Sequence, residues 1–201
     1  MPLIVLEGID GCGKSTQVER IDRALRERGI IPLRLREPGG TILGEQVRTL
    51  LLDKATEACP TAELFGYLTA RAQLCHAVMA PALARGDTIL LDRFWYSTMA
   101  YQAYGLGLDP QRVRAAIELA VGGVRADFAG WLSVPPLEAQ RRRAAARGED
   151  RIEARGLAYQ EKVCAGYEVM AGEGLLTVID AQRPPDAIFS DLWSRLIPLL
   201  P

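Results

Sequence analysis

The sequence has one histidine, His76, and nothing in it resembles a Ser-His-Asp or Cys-His catalytic set. His76 falls in a long stretch of apolar helical character and reads as structural. Cysteine is scarce and scattered: Cys12, Cys59, Cys75 and Cys164 form no C-x-x-C pair, so neither zinc nor redox chemistry is indicated. Two disulfides are arithmetically open to four cysteines, but Cys12 sits inside a glycine-rich loop that a bridge would obstruct, and reduced thiols in the cytosol are the simpler account. No apolar run approaches the roughly 20 residues needed to span a bilayer. The first one, Leu3-Ile4-Val5-Leu6, is broken by Glu7 and has no basic leader, so no signal peptide is expected. Charge of one sign is also missing. Lys and Arg number 24 against 25 Asp and Glu, a balance that argues against a surface built to coat nucleic acid. No internal repeat, low-complexity tract or interdomain linker is visible. These absences leave a soluble cytoplasmic protein, and 201 residues that are 49% hydrophobic suit one α/β domain with a sizeable core.

What the chain does have is Gly8-Ile9-Asp10-Gly11-Cys12-Gly13-Lys14-Ser15, which fits the phosphate-binding pattern G-x-x-x-x-G-K-[ST]. Its setting carries more weight than the match. The apolar, partly β-branched run before it reads as a buried strand, and Val18, Ile21 and Leu25 after it fall at helical spacing with Gly29 as a stop. In a strand, glycine turn and helix, backbone N–H groups turn inward around a polyphosphate and the helix dipole adds positive potential. Lys14 would reach the β- and γ-phosphates and Ser15 would ligate Mg²⁺. A glycine-rich turn that merely fits the pattern is the plain alternative.

Strands are expected near 3–6, 31–35, 88–93, 130–134 and 175–179. Between them lie helices near 43–52, 62–84, 110–121, from Pro136 into an arginine-rich stretch, 154–170 and from Pro185 onward. Asp109-Pro110 reads as an N-cap with proline at the first helical position. Such alternation predicts a mostly parallel sheet covered on both faces, with ligands bound beyond the carboxyl ends of the strands. The polar groups expected there are Asp10 to Ser15, Arg36-Glu37 and Asp92-Arg93, the last read as an ion pair closing its strand. An acid placed like Asp92 commonly orients Mg²⁺ or its waters, and a carboxylate merely paired with Arg93 is the alternative. Arg93 itself suits a bidentate phosphate clamp. Arg141, Arg142, Arg143, Arg147 and Arg151 crowd one stretch, in which Arg143 and Arg147 would share a helix face before Gly148 ends it. Two accounts remain open, a solvated helix face or a mobile basic lid. The P-loop favours the lid, because its variable residues contain no base and transition-state charge needs another cationic source.

Taken together, these motifs resemble the thymidylate kinase family. Glu7 to Thr16 is similar to its P-loop, with an acid at Asp10, and Arg36-Glu37-Pro38-Gly39-Gly40-Thr41 to the bacterial R-E-P-G-G-T. Asp92 to Gln102 resembles D-R-Y-x-x-S-x-x-A-Y-Q, Arg147 to Glu153 the lid, and Gly166-Tyr167-Glu168 the later G-Y-x-E-L. The resemblance covers most of the chain in the family's order. It implies a P-loop three-layer sandwich of the nucleoside monophosphate kinase type, one domain over 1–201 with a five-stranded parallel sheet and a lid near 141–153. It implies Mg²⁺-dependent transfer of the ATP γ-phosphoryl group to dTMP, giving dTDP for dTTP synthesis, and usually a homodimer.

Roles carry over by position. ATP would lie on Gly8, Ile9, Asp10, Gly11, Cys12, Gly13, Lys14, Ser15 and Thr16, and the metal on Ser15 and, through water, Asp92. Tyr67 falls where the family stacks a Phe on thymine, Arg71 would hydrogen-bond a thymine carbonyl, and Ser97, Thr98 and Gln102 line the same pocket. Arg93 would hold the dTMP phosphate with Arg48 and Glu37, Tyr101 would crowd the 2′ position, and Asp10 would approach the 3′-hydroxyl and the metal. Lys14, Asp10, Arg93, Arg143, Arg147 and Arg151 form the catalytic set, in the division that supplies its extra arginine from the lid. The chain departs from the pattern at Tyr67, at Phe94 (usually Tyr), at Ser133 (often Asp), at Ala126 (usually Pro) and in a lid about one residue short. The rivals are a different small P-loop kinase, a nucleotide-binding protein without turnover and a purely structural module.

Overall fold

The computed structural model of the chain describes residues 1–144, 151–152 and 155–201. At its centre is β1 (Leu3–Glu7), whose five residues are all buried, as its unbroken apolar sequence requires. It pairs in parallel with β3 (Ile89–Asp92) on one side, Leu3 opposite Ile89, and with β4 (Phe128–Ser133) on the other, Ile4 opposite Phe128. The edges are β2 (Leu33–Arg36) and β5 (Thr177–Asp180), giving a five-stranded sheet in the order β2-β3-β1-β4-β5. Because all pairings are parallel, each strand must be re-entered through a helix, and both faces are covered. The chain order reverses between β3 and β4 on either side of β1, so a crevice opens beyond the carboxyl end of β1.

One covering layer is α1 (Lys14–Glu27) with α9 (Pro185–Leu196). The other brings together α3 (Pro60–Leu74), α6 (Pro110–Val121) and α8 (Leu157–Gly172), with α2 (Ile42–Leu52) packed on α3 and α7 (Pro136–Ala144) on α8. The expected α/β sandwich with a five-stranded parallel sheet is what forms. Asp109 caps α6 as its sequence suggests, its Oδ1 accepting the N–H groups of Gln111 (2.8 Å) and Arg112 (3.2 Å). Among the described residues no helix is long and apolar enough to cross a membrane.

The departures are local. The expected helix over 62–84 is α3, a wide π-helical turn Cys75–Met79, then α4 (Ala80–Ala84). The wide turn sits where Pro81, which has no N–H to give, would interrupt a regular ladder. Residues after β3 form α5 (Trp95–Thr98) running into a second π-helical segment, Met99–Gly105, where the sequence reading placed no helix. The edge strands shift. β2 begins two residues late, past exposed Ile31 and buried Pro32, and alternates half-buried Leu33 and Leu35 with exposed Arg34 and Arg36. At the other edge β5 also starts late, at Thr177. By contrast β4 starts two residues early, at Phe128 beside Ile4 of β1.

Candidate active site

The glycine loop leaves β1 and enters α1 through three residues in the left-handed region: Gly8 (φ 139°), Gly11 (φ 87°) and Gly13 (φ 99°). Gly11 also has no room, since a Cβ there would lie 2.2 Å from the carbonyl oxygen of Ala139 in α7. Lys14, the first residue of α1, is buried and folds back so that Nζ donates to the carbonyls of Gly8 (2.8 Å) and Ile9 (3.1 Å). Ser15 and Thr16 are exposed one step further on.

Above the loop lies a cleft of about 890 Å³, a size suited to small ligands. Asp10 through Gln17 form its floor. One wall is Arg36, Glu37, Pro38, Arg48, Tyr67, Arg71, Asp92, Arg93, Ser97, Thr98, Tyr101 and Gln102, and the opposite rim is Arg142, Arg143, Arg183, Pro185 and Ile188. Most residues expected at a site therefore meet in one place. Gly8 and Ile9 are not among the lining, for Ile9 packs into the core and the Gly8 carbonyl receives Lys14 and Arg93. Arg147 lies outside the described residues.

The expected ion pair between Asp92 and Arg93 does not form. Neighbouring residues at a strand end point to opposite faces. Arg93, the one described non-glycine residue with positive φ (69°), leaves the strand direction and gives Nη2 to Asp10 Oδ1 (2.8 Å) and Nη1 to the Gly8 carbonyl (2.8 Å) and Ser97 Oγ (3.2 Å). Burial alone would raise the Asp10 carboxyl, but Arg93 and then Lys14 overcome it and hold that carboxyl well below the usual carboxylate range. Asp92 keeps a buried oxygen, Oδ1, with no hydrogen-bond partner, in the wall of the cleft whose floor includes exposed Ser15. Among the described residues no cluster of three His, Cys, Asp or Glu could cage a metal. An orphaned carboxylate oxygen and one hydroxyl fit a Mg²⁺ that takes its remaining ligands from water and phosphate.

On the wall, Arg71 is almost wholly buried. Nε donates to Glu37 Oε2 (2.8 Å), Nη1 to Thr98 Oγ1 (2.7 Å) and Nη2 to the Phe94 carbonyl (3.1 Å). Its guanidinium is thus held in place before any ligand arrives. Tyr101 lies under Arg93, 5.3 Å from guanidinium carbon to ring centre, with its buried hydroxyl unpartnered.

Three features were not anticipated as site residues. Arg142, within the arginine run, gives Nη1 to the Ala181 carbonyl (2.9 Å) and joins the rim. Arg183 lies in the turn after β5, and the rule that ligands gather beyond strand carboxyl ends pointed there. The third is fully buried Glu63 of α3, which accepts Gln102 Nε2 (3.1 Å), Arg151 Nη2 (2.7 Å) and both terminal nitrogens of Arg155. Arg151, expected to act catalytically, is bound here and does not line the cleft, although its neighbour Ile152 does. No pattern in α3 distinguishes Glu63 from a solvated acid. Glu63→Ala should lower unfolding free energy by about 3 kcal/mol, because two guanidinium groups lose the carboxylate between them. Urea unfolding followed by circular dichroism checks this, and a loss under about 0.5 kcal/mol, typical of an exposed pair, would contradict it.

The family model for thymidylate kinase matches residues 6–192. The chain belongs to the thymidylate kinase family. Similar proteins include a thymidylate kinase of Parasynechococcus marenigrum (strain WH8102), 43% identical with 96% of each chain covered. Another is that of Synechococcus sp. (strain CC9902), 45% identical over 90% of this chain and 89% of its own. That of Chlorobium chlorochromatii (strain CaD3) is 39% identical over 96% and 93%. The chain is accordingly a phosphotransferase that uses ATP to phosphorylate dTMP to dTDP, as thymidylate kinases do with Mg²⁺. The cleft has the glycine loop for its floor and arginines in its walls.

Proposed function

We propose that the cleft seats ATP and dTMP end to end, the ATP phosphates on Asp10 to Thr16 and the dTMP phosphate on Arg93 with Arg48 and Glu37. The single observation that carries this is the convergence of buried Lys14, Arg71 and Arg143 and half-buried Arg93 on one cleft. Two polyanions must be brought together there, and cations fixed in advance spare the reorganisation that water would need. The acceptor is already a phosphate anion, so no general base is required. One of its oxygens attacks the γ-phosphorus, the bond to the β-phosphate bridging oxygen breaks, and dTDP and ADP result. Lys14 follows the charge on the transferred group, with Arg143 and Arg147 supplying further cations from a lid near 141–153, while Arg151 stays on Glu63. Asp10 steers Arg93, which it already binds, and faces the sugar 3′-hydroxyl. Ser15 and, through water, Asp92 would hold Mg²⁺, which when bound would neutralise charge on the phosphates.

The far end of the wall takes the base. Tyr67 stacks on thymine, Arg71 donates to a thymine carbonyl, Ser97, Thr98 and Gln102 close the pocket, and Tyr101 crowds the 2′ position. Arg142, Arg183, Pro185 and Ile188 on the other rim are left for adenine. The chain acts as one domain, as a homodimer in the cytoplasm. Exposed Leu50, Phe65 and Leu119 on α2, α3 and α6 support a subunit contact, and its four free cysteines support a reducing compartment. The test is ADP release from Mg-ATP with dTMP, dUMP, the ribonucleotide of thymine, dCMP, dGMP, AMP and thymidine. Fast turnover with dTMP and at least about a hundred-fold lower kcat/KM with the ribonucleotide is expected. Faster turnover with thymidine or a purine monophosphate would discard these acceptor residues.

A further inference from the structure

Glu7, the last residue of β1, does not line the cleft and is entirely buried. Its carboxylate is nonetheless fully engaged. Oε1 accepts the Phe94 N–H (2.7 Å), and Oε2 accepts the Ser97 hydroxyl (2.6 Å) and the Tyr167 hydroxyl (2.9 Å). Tyr167, on α8, is itself held by stacking on Trp131 of β4, ring centres 5.6 Å apart. A buried carboxylate survives only where donors of this kind surround it.

Phe94 follows Arg93, whose left-handed backbone L side chains ordinarily avoid. Such a conformation persists only where its surroundings over-determine it. Here they do. The Phe94 N–H is tied to Glu7, its carbonyl takes Arg71 Nη2 (3.1 Å), and Ser97, donating to Glu7, turns its oxygen to accept Arg93 Nη1. One buried acid thus fixes both the backbone that launches Arg93 and a hydroxyl that aims its guanidinium.

We propose that Glu7 is a positioning residue for the acceptor phosphate, holding Arg93 in register with Arg71 through the Phe94 peptide and the Ser97 hydroxyl. This rests on the reading that Arg93 binds the dTMP phosphate. Burial pushes the Glu7 carboxyl up, and the Ser97 hydroxyl, Arg93, the Phe94 N–H and Tyr167 push back. Glu7→Gln keeps the shape and the Phe94 contact but places an NH₂ donor against Ser97 Oγ, where it competes with Arg93.

The experiment measures KM for dTMP and for ATP, kcat and thermal midpoint for the wild type, Glu7→Gln, Tyr167→Phe and Arg93→Ala. Glu7→Gln should raise KM for dTMP about ten-fold, the scale of one hydrogen bond to a charged group, with KM for ATP changed less than about two-fold. Tyr167→Phe, which leaves Glu7 in place, should shift KM for dTMP in the same direction by about three-fold, and it carries the test alone if Glu7→Gln does not fold. Parallel rises in both KM values with a lowered thermal midpoint would reduce Glu7 to a structural residue and overturn the proposal. So would unchanged dTMP kinetics in Glu7→Gln alongside a crippled Arg93→Ala. Normal use of dTMP by Arg93→Ala would instead remove the reading beneath it.

Discussion

Replacing Lys14 with alanine should lower kcat by about a thousand-fold, the upper end of what one preorganised charge contributes, while the melting temperature moves by only a few degrees. Lys14 is 6% exposed, and its ammonium touches two backbone carbonyls and the Cys12 sulfur, with no carboxylate in ion-pair contact among the described residues. Structural lysines at this depth are ordinarily paired with an acid. A buried cation held by neutral oxygens at the mouth of α1 suits an anion, and in the proposed arrangement the triphosphate supplies it. Without it, the charge moving onto the bridging oxygen and the transferred group meets only the loop N–H groups and the arginines. The fold survives because the freed carbonyls face a cleft that water fills. Kinetics of ADP release with circular dichroism on the same sample decide the matter. Turnover within about ten-fold of wild type would mean that the glycine loop binds without contributing to the transition state.

How much of this was legible depended on how the residues announce themselves. β1, the glycine loop and α1 are a continuous apolar run, a pattern and a helical period in sequence, and they form as read. The segment Trp95–Gly105 carried no such signal. It is buried nearly all round, and its π-helical portion closes wider turns than the period an amphipathic helix displays. The edge strands drifted because half their side chains face solvent, which leaves little apolar pattern to bound them. Adjacent Asp92 and Arg93 suggested a pair, yet a strand's alternation sends neighbours apart, and the partner Arg93 finds is 83 residues away. Glu63 shows the opposite limit. An acid beside a helix's apolar face looks solvated until tertiary structure delivers Gln102, Arg151 and Arg155 to it.

Arg71→Met should cost about 3–5 kcal/mol of stability, the largest loss expected from any single exchange in the cleft, because it strands a buried carboxylate. Arg71 and Glu37 have side chains 2% and 3% exposed, and Glu37 Oε1 already has no partner, so the whole attraction on that carboxylate runs through Oε2 to one guanidinium. Burial pushes the Glu37 carboxyl up even with Arg71 opposing it. Removing Arg71 leaves burial and the repulsion from Glu7, and Glu37 then takes up a proton to escape. The sign follows. A carboxyl whose folded value lies above its unfolded one binds more protons when folded, so its variant is most stable in acid and loses stability as pH rises through the folded value. The penalty of Arg71→Met should therefore be larger at about pH 8 than at about pH 5, and adding Glu37→Gln should relieve part of it and flatten the pH dependence. Urea unfolding of the two single variants and the double variant at both pH values closes the cycle. A penalty independent of pH, or additivity of the two exchanges, would mean that Glu37 is solvated and that Arg71 is not fixed by it before a ligand binds.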